Sequence, residues 1–110
     1  MSENDRIGEA FQAIADIDRI IHEPARFMIL AILSLVESAD FIFLRRQTGL
    51  TQGNLSSHLS RLETAGYVNI EKEFVEKIPR TLLSITVQGE KAFNTYQRIL
   101  QQALNVLGGN

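Results

Sequence analysis

One stretch of the chain combines side chains that can pair with nucleic-acid bases with an unusually slim outline. In residues 51–65, Leu55, Leu59 and Leu62 repeat at helical spacing and predict a helix with one buried face. Gln and Asn can each make two hydrogen bonds with adenine, Arg can do so with guanine, and small residues let a helix enter a major groove about 12 Å wide. The outer face and first turn carry such residues: Gln52, Gly53, Asn54, Ser56, Ser57, Ser60 and Arg61. The segment therefore predicts a helix that reads base edges in duplex DNA.

The same polar face is also compatible with simple exposure to solvent. Solvated helices are usually richer in Glu and Lys, however, because Ser, Asn and Gly are weak helix formers. Here the weak helix formers occupy one face only, as expected where a function overrides local preference. Asp40 is a predicted N-cap for a short preceding helix, Gly49 suits the left-handed residue that ends it, and Thr51 suits the next N-cap. This order indicates a helix-turn-helix, with residues 51–65 as its second helix.

A second group of residues is suited to the phosphate backbone. Two arginines lie near the end of the short helix, and the N-terminus of the next helix offers free N–H groups and a partial positive charge. Two further cations lie in or beside a predicted connection at residues 75–79, between strands 67–74 and 80–87. The predicted backbone and wing contacts are Arg45, Arg46, Thr51, Lys77 and Arg80.

Catalysis and metal binding have little support in the sequence. The chain contains no cysteine, and its two histidines, His22 and His58, lie far apart without acidic or histidine neighbours at ligand spacing. Asp16 and Asp18 are the nearest approach to a carboxylate pair, but residues at i and i+2 do not face each other on a helix. No glycine-rich phosphate loop and no nucleophile with a base is recognisable. We expect no enzyme, no cofactor and no metal site.

Composition and charge agree with a single DNA-binding domain spanning residues 1–110. Apolar residues make up 45% and charged residues 22% of the chain, as in ordinary globular domains. The net charge of −2 is unevenly distributed: residues 1–40 hold three Arg against eight Asp and Glu, whereas residues 41–110 hold eight Lys and Arg against five Glu. The second part therefore carries a modest basic surface. No apolar run is long enough for a membrane span, and the acidic N-terminus is unlike a signal peptide, so we expect a cytoplasmic protein.

The remaining elements predict a mainly α protein with a small β-hairpin, in the α+β class. A helix at 7–21 precedes a core at 24–87, in which Pro24 starts a central helix and residues 67–87 form the hairpin, or wing; a last helix spans 88–107. The first and last helices both show apolar residues at steps of three and four, the pattern of helices that pack along a shared seam. This architecture is a winged helix-turn-helix with two additional dimerisation helices. The predicted dimer interface consists of Ile7, Ile14, Ile17, Ile21, Phe93, Tyr96, Leu100, Leu104 and Leu107. The competing interpretation folds both stripes onto their own core and leaves a monomer.

Taken in order and spacing, several motifs make the chain resemble the compact MarR/ArsR-like winged-helix regulators of bacteria and archaea. The resemblance covers about residues 20–105 and rests on residues 52–63, 65–68, 72–74, 79–81 and 86–89, with residues 22–26 leading into the core helix. It implies sequence-specific binding of double-stranded DNA as a homodimer, usually as a repressor, and permits an unidentified small-molecule effector in a cleft between the DNA-binding part and the dimerising helices. MarR-type wings often carry paired basic residues at the tip, whereas this wing also holds Glu71, Glu73 and Glu76. The sequence therefore leaves open whether the wing contacts the minor groove.

Three further interpretations stay open at the level of sequence. His58 is placed either to brace its helix or to contact phosphate or a base. Arg26 is placed either to bond a neighbouring helix end, the favoured alternative, or to contact the DNA backbone. The acidic wing also supports a different class of function, a winged-helix adaptor that binds protein partners without binding DNA.

Overall fold

In a computed structural model that describes residues 2–108, the chain forms five helices and three strands. Met1 and residues 109–110, which the predicted single domain includes, lie outside the described residues. The elements are α1 (Glu3–Ala15), α2 (Pro24–Leu33), β1 (Ala39–Asp40), α3 (Phe41–Thr48), α4 (Gln52–Thr64), β2 (Val68–Val75), β3 (Ile78–Ile85) and α5 (Val87–Leu107). This is a winged helix fold of the α+β class, as predicted from the sequence.

Helix α2 is the centre of the hydrophobic core. Pro24 occupies its first turn, where its missing N–H costs no hydrogen bond, and the Glu23 side chain caps the helix by accepting from the backbone N–H of Arg26 at 2.9 Å. Ile29, Leu30 and Leu33 are completely buried, and α2 contacts α3, α4 and strand β3 of the sheet. Because α2 is apolar on most sides, it holds the helix-turn-helix and the wing in a fixed relation.

The turn between α3 and α4 forms through the predicted caps. The Asp40 side chain accepts from the N–H of Phe43 at 2.7 Å, and the Thr51 hydroxyl accepts from the N–H of Asn54 at 3.2 Å. Gly49 ends α3 with a φ of 72°, a left-handed conformation that side chains with a Cβ rarely adopt. Leu50 is half-buried against the core, so the turn is anchored from inside.

The sheet differs from the predicted hairpin in two respects. Its strand order is β1-β3-β2, and the two-residue β1, too short to show a pattern in the sequence, pairs with Leu82 and Leu83 of β3. The predicted five-residue connection is wrong, because β2 and β3 pair as far as Val75 and Ile78 and leave a turn of only two residues. Both turn residues, Glu76 and Lys77, have positive φ angles of 51° and 69°, as a two-residue type I′ turn requires. Neither is Gly or Asn, so the usual sequence signal of this turn is missing.

The N-terminal helix also departs from its predicted bounds of 7–21. Helix α1 starts at Glu3, where Ser2 caps it, and ends at Ala15. Beyond it, the carboxylate of Asp18 accepts from the backbone N–H groups of Ile20 and Ile21 at 2.9 and 3.3 Å. This turn competes with a continued helix, as short acidic side chains commonly do.

Helix α1 packs along the second half of α5, where Ala10 lines a shared groove with Gln102 and Val106, and this helical arm extends away from the core. Ala10 and Ala103 are buried in the arm, and their small side chains permit close packing of the two helices. The molecule measures 63 × 24 × 21 Å and has a radius of gyration of 16.8 Å. A compact domain of this length has a radius of gyration of roughly 13 Å, so the arm makes the chain markedly elongated.

Candidate nucleic-acid interface

Helix α4 exposes the whole set of residues predicted to read bases. Leu55, Leu59 and Leu62 are buried against the core, as expected from their spacing. The predicted recognition positions are all exposed: Gln52, Gly53, Asn54, Ser56, Ser57, Ser60 and Arg61. No large side chain interrupts this face before Arg61, so the helix is slim where it would enter a groove.

A groove of about 300 Å³ separates α4 from the wing and is here called the wing groove. Gln52, Ser56 and Ser60 lie one helical turn apart and form its α4 side. Lys72 of β2 and Thr81 of β3, which are directly opposite each other in the sheet, form its wing side. The structure thus brings three predicted residues together with two that the sequence reasoning missed.

The position of Lys72 and its partner Thr81 beside α4 could have been predicted from the alternation of side chains along the strands. Side chains along a strand alternate between its two faces, so Lys72 shares a face with Val68 and Ile70. Val68 is buried and Ile70 half-buried, so this face points toward the core and α4. Counting in steps of two from Val68 would have identified Lys72 as a residue beside the recognition helix.

A second groove, of about 560 Å³, lies beside the turn between α3 and α4 and is here called the turn groove. Arg45, Arg46 and Gln52 all line it. Gln52 therefore borders both grooves, with two arginines on one side and Lys72 on the other. Arg45 and Arg46 lie in the last turn of α3, where the partial negative charge of the helix end favours cations. Cations on both sides of a slim helix match the two phosphate strands that border a major groove.

The two predicted wing cations have different surroundings. Arg80 lies on β3 directly opposite Glu73, and its Nη2 is 3.7 Å from Oδ2 of Asp40. Lys77 is exposed in the two-residue turn. Neither residue lines the wing groove, and Arg80 already faces two carboxylates. Their contact with DNA stays a prediction.

His58 and Arg26 contact each other on the inner flank of α4. Arg26 is buried; its Nε donates to the backbone carbonyl of Ile20 at 2.5 Å and its Nη1 to Nδ1 of His58 at 3.2 Å. A guanidinium has no acceptor, so Nδ1 accepts and the His58 proton lies on Nε2. This arrangement agrees with a structural role for Arg26 and with the bracing interpretation of His58.

Glu23 completes this contact between α2 and α4. Its Oε2 lies 3.7 Å from Nδ1 of His58. Burial raises the pKa of Glu23, but hydrogen bonds from the backbone N–H groups of Arg26 and Ala25, with the charge of Arg26, outweigh it and hold the pKa below its usual value. Glu23 is therefore a carboxylate near neutral pH and caps α2 in its charged form.

A cleft of about 510 Å³ lies between the start of the wing and α5 and is here called the α5 cleft. Tyr67 and Tyr96 line it together with Asp18 and Lys91. The Tyr67 hydroxyl donates to the carboxylate of Asp18. Burial, this hydrogen bond and the charge of Asp18 raise the pKa of Tyr67 to about 12. The hydrogen bond ties the turn after α1 to the first residues of the wing.

The predicted dimer residues fall into three groups, which are buried, half-buried and exposed. Ile17, Ile21, Phe93 and Tyr96 are buried in the core of their own protomer, so their predicted place in an interface is wrong. They are buried because the turn after α1 and the first half of α5 close over α2, where Phe27 packs against both aromatic rings of α5. Ile14 and Leu100 are half-buried. Ile7, Leu104 and Leu107 are exposed on the arm, as is Phe11, which the sequence reasoning did not include.

Two further features of residues 2–108 bear on other functional classes. No group of three or more His, Asp or Glu residues is arranged to hold a metal ion. No helix in this range has both the length and the apolar character that a membrane crossing requires.

Comparisons with known proteins agree with the geometry of α4 and the wing. Residues 25–104 match the family model described as a winged helix DNA-binding domain. An uncharacterized protein of Methanocaldococcus jannaschii is 36% identical over 89 residues, which cover 80% of this chain and 97% of that protein. The structure of a transcriptional regulator homologue from Pyrococcus horikoshii OT3 is 32% identical, covers 92% of this chain and 96% of its own, and has a TM-score of 0.74. The PcaV transcriptional regulator from Streptomyces coelicolor, in complex with its natural ligand, shares the fold at 18% identity and a TM-score of 0.69, covering 83% of this chain and 63% of its own.

Proposed function

Because the chain belongs to the winged helix DNA-binding domain family, whose members are DNA-binding regulators and not enzymes, we propose that it is a homodimeric, sequence-specific transcriptional repressor. The observation that carries the proposal is the exposed, slim face of α4 with a cation-bearing groove on each side. Repression is the outcome that the resemblance to MarR/ArsR-like regulators implies. Its place of action is the cytoplasm, where such a regulator meets its DNA.

In this proposal α4 lies in the major groove. Gln52 and Asn54 on the first turn and Arg61 in the last turn reach base edges, because they are the exposed residues with bidentate hydrogen-bonding geometry. Gly53, Ser56, Ser57 and Ser60 keep the helix close to the bases. Thr51, Arg45 and Arg46 face the backbone beside the helix N-terminus. The wing, with Lys77 and Arg80, lies near the backbone and the adjacent minor groove.

The homodimer is supported by the helical arm. Ile7, Phe11, Leu104 and Leu107 expose apolar side chains on two packed helices that extend beyond the core. An arm of two helices has too little core of its own for independent stability, since helices gain most of their stability from packing. A second copy would cover this surface across a two-fold axis. The axis would set the two recognition helices roughly 34 Å apart and favour a pseudopalindromic site.

The α5 cleft is the proposed binding site of a small-molecule effector. Its volume lies within the range of small-molecule sites, and its lining combines Tyr67, Tyr96 and Lys91 with the carboxylates of Asp16 and Asp18. The similarity to the ligand-bound PcaV fold adds support. Because the two carboxylates outnumber the single lysine, the cleft favours a neutral or cationic aromatic molecule, so benzamidine should raise the midpoint of thermal unfolding more than benzoate does, and Asp16→Asn should reduce the difference. Equal effects of the two compounds would contradict this assignment.

A fluorescence titration with labelled duplex DNA tests the central proposal. The wild-type protein should bind a random-sequence duplex at low salt, and a site selected from a random pool should bind more tightly. If the dimer neutralises about six phosphates, log K should fall with log salt at a slope of roughly −5. Arg61→Ala and Gln52→Ala should each cost about 1–3 kcal/mol of discrimination between the two duplexes. Absence of binding at low salt would contradict the proposal and leave the protein-binding adaptor as the better explanation.

A further inference from the structure

We propose that the wing contacts DNA through one defined face, formed by Lys72 and Thr81 followed by Phe74 and Pro79, and here called the wing face. Lys72 would hold a phosphate, and the Phe74–Pro79 pair would contact the sugars and edges of the adjacent minor groove. The inference rests on the proposed DNA binding, and it adds four residues of one face to the proposed wing contacts of Lys77 and Arg80.

The sheet register separates the charges of the wing. Lys72 is opposite Thr81, and Phe74 is opposite Pro79, so these four side chains lie on the face that Ile70 and Leu83 begin in the core. Glu71 and Glu73 alternate with them and lie on the opposite face of β2. Two of the three acidic wing residues, Glu71 and Glu73, are therefore directed away from the face that borders α4, whereas Glu76 lies in the turn at the end of the hairpin.

The position of Lys72 fits a phosphate contact. It lines the wing groove together with Ser56 and Ser60, so it is adjacent to the helix that would occupy the major groove. It is exposed, and no ion pair of 4 Å or less engages it within the described residues. Arg80, by contrast, already faces Asp40 and Glu73. A phosphate contact would cost Lys72 no salt bridge, whereas Arg80 would have to leave the carboxylates of Asp40 and Glu73.

The Phe74–Pro79 pair extends the same face beyond α4. Phe74 is 75% exposed, so most of its ring is available for contact with a partner. The pair lies one step further along the hairpin than Lys72. With α4 docked in the major groove as proposed, this part of the hairpin would reach the adjacent minor groove. Apolar side chains, Phe and Pro among them, are used against the minor groove by several DNA-binding proteins. Continuity with the wing groove thus favours DNA as the occupant of this apolar surface.

Four variants in the same titration test the wing face, each checked for an unchanged thermal unfolding midpoint. Lys72→Ala should weaken binding to selected and random duplexes alike and make the salt slope less steep by about two for a dimer with two wings. Lys72→Arg should restore both quantities. Phe74→Ala should weaken binding without changing the salt slope, and Phe74→Leu should restore most of the affinity. In hydroxyl-radical footprints, Phe74→Ala should lose protection only in the minor groove beside the recognition site.

Two control variants separate contact from general charge. Arg98→Ala removes one exposed cation from α5, and Glu71→Gln changes the residue next to Lys72 on the opposite face; both should bind nearly as wild type does. If wild type binds DNA while Lys72→Ala and Phe74→Ala match these controls, the wing face is wrong and the DNA-binding function stands. If Arg98→Ala changes the slope as much as Lys72→Ala, the effect of Lys72 is only long-range charge, and the contact is again wrong. If wild type fails to bind, the proposed function itself fails.

Discussion

The first turn of α5 packs so closely against the start of the wing that there is no room for a side chain at Gly89. An added Cβ at Gly89 would lie 2.2 Å from the backbone carbonyl oxygen of Tyr67 and 3.0 Å from a side-chain carbon of Ile85. Gly89 also donates its N–H to the capping hydroxyl of Thr86, so the first turn of α5 cannot move away freely. We therefore expect Gly89→Ala to destabilise the protein by about 1–3 kcal/mol, as overpacking usually does, measured by urea unfolding.

Gly53→Ala is the matched control on another helix. Nothing lies within 4 Å of a Cβ built at Gly53, and its backbone is helical. This substitution should leave stability unchanged or raise it by up to about 1 kcal/mol, because glycine is less favourable than alanine in a helix. It should nonetheless weaken DNA binding, since the added methyl group lies on the face proposed to approach the bases. Similar losses of stability in both variants would mean that the Gly89 contact is not what limits substitution.

Tyr67 gives the protein a specific dependence on alkaline pH. Its pKa in the folded protein is about 12, above the ordinary value of 10.0. A raised pKa means that the contribution to stability is fully present below pH 10 and is lost as the pH rises through 12. The difference in unfolding free energy between wild type and Tyr67→Phe should thus shrink between these pH values. A difference that stays constant over this interval would show that the hydroxyl does not keep its proton in the folded state.

At the scale of elements, the two-residue turn of the wing is conformationally strained. Glu76 and Lys77 both adopt positive φ angles, a conformation that costs a residue with a Cβ about 1–2 kcal/mol and that Asn–Gly turns adopt readily. An Asn–Gly pair in their place would relieve this cost, so the double substitution Glu76→Asn with Lys77→Gly should raise the unfolding free energy by about 1 kcal/mol. Chemical denaturation measures the change.

The single substitution Glu76→Asn separates backbone strain from charge. It keeps Lys77 and relieves one of the two strained positions, so it should give part of the gain in stability. DNA affinity should not fall with it, because no cation is removed. A double variant less stable than wild type would contradict the turn geometry.

At the scale of the whole molecule, the elongated shape leads to a prediction about oligomeric state. We expect a dimer at micromolar concentration in sedimentation equilibrium. Leu104 and Leu107 are 59% and 72% exposed on the arm, so replacing both with Asp should give a folded monomer. Truncation after Gly89 would be a poor test, because it removes Phe93 and Tyr96 from the core.

Leu35 provides the matched control for the dimer. It is 84% exposed and lies after α2, outside the arm. Leu35→Asp therefore introduces the same change of chemistry without touching the arm, and it should remain dimeric. A monomeric wild-type protein, or a Leu104/Leu107 variant that dimerises as well as wild type, would rule out the arm as the interface.

Local chemistry made much of this fold predictable from the sequence. The leucines of α4, the caps at Asp40 and Thr51, and the left-handed Gly49 act over three or four residues, so their spacing in the chain is enough to identify them. The same holds for the exposed recognition positions, because burying Leu55, Leu59 and Leu62 leaves the other face to solvent. Helix order and the helix-turn-helix followed from these local signals.

Tertiary structure alone decided the features that depend on residues far apart in the chain. Helix α1 ends at Ala15 because Asp18 caps a turn and binds Tyr67, a partner 49 positions away, and the apolar spacing through Ile17 and Ile21 does not reveal this. Pairing of β3 with β2 fixed which wing residues face α4, and so placed Lys72 beside Ser56 and Ser60. Apolar periodicity shows that a side chain will be buried. Whether its own core or a second copy buries it depends on packing in three dimensions, which is why Phe93 and Leu107, on one stripe of one helix, have different surroundings.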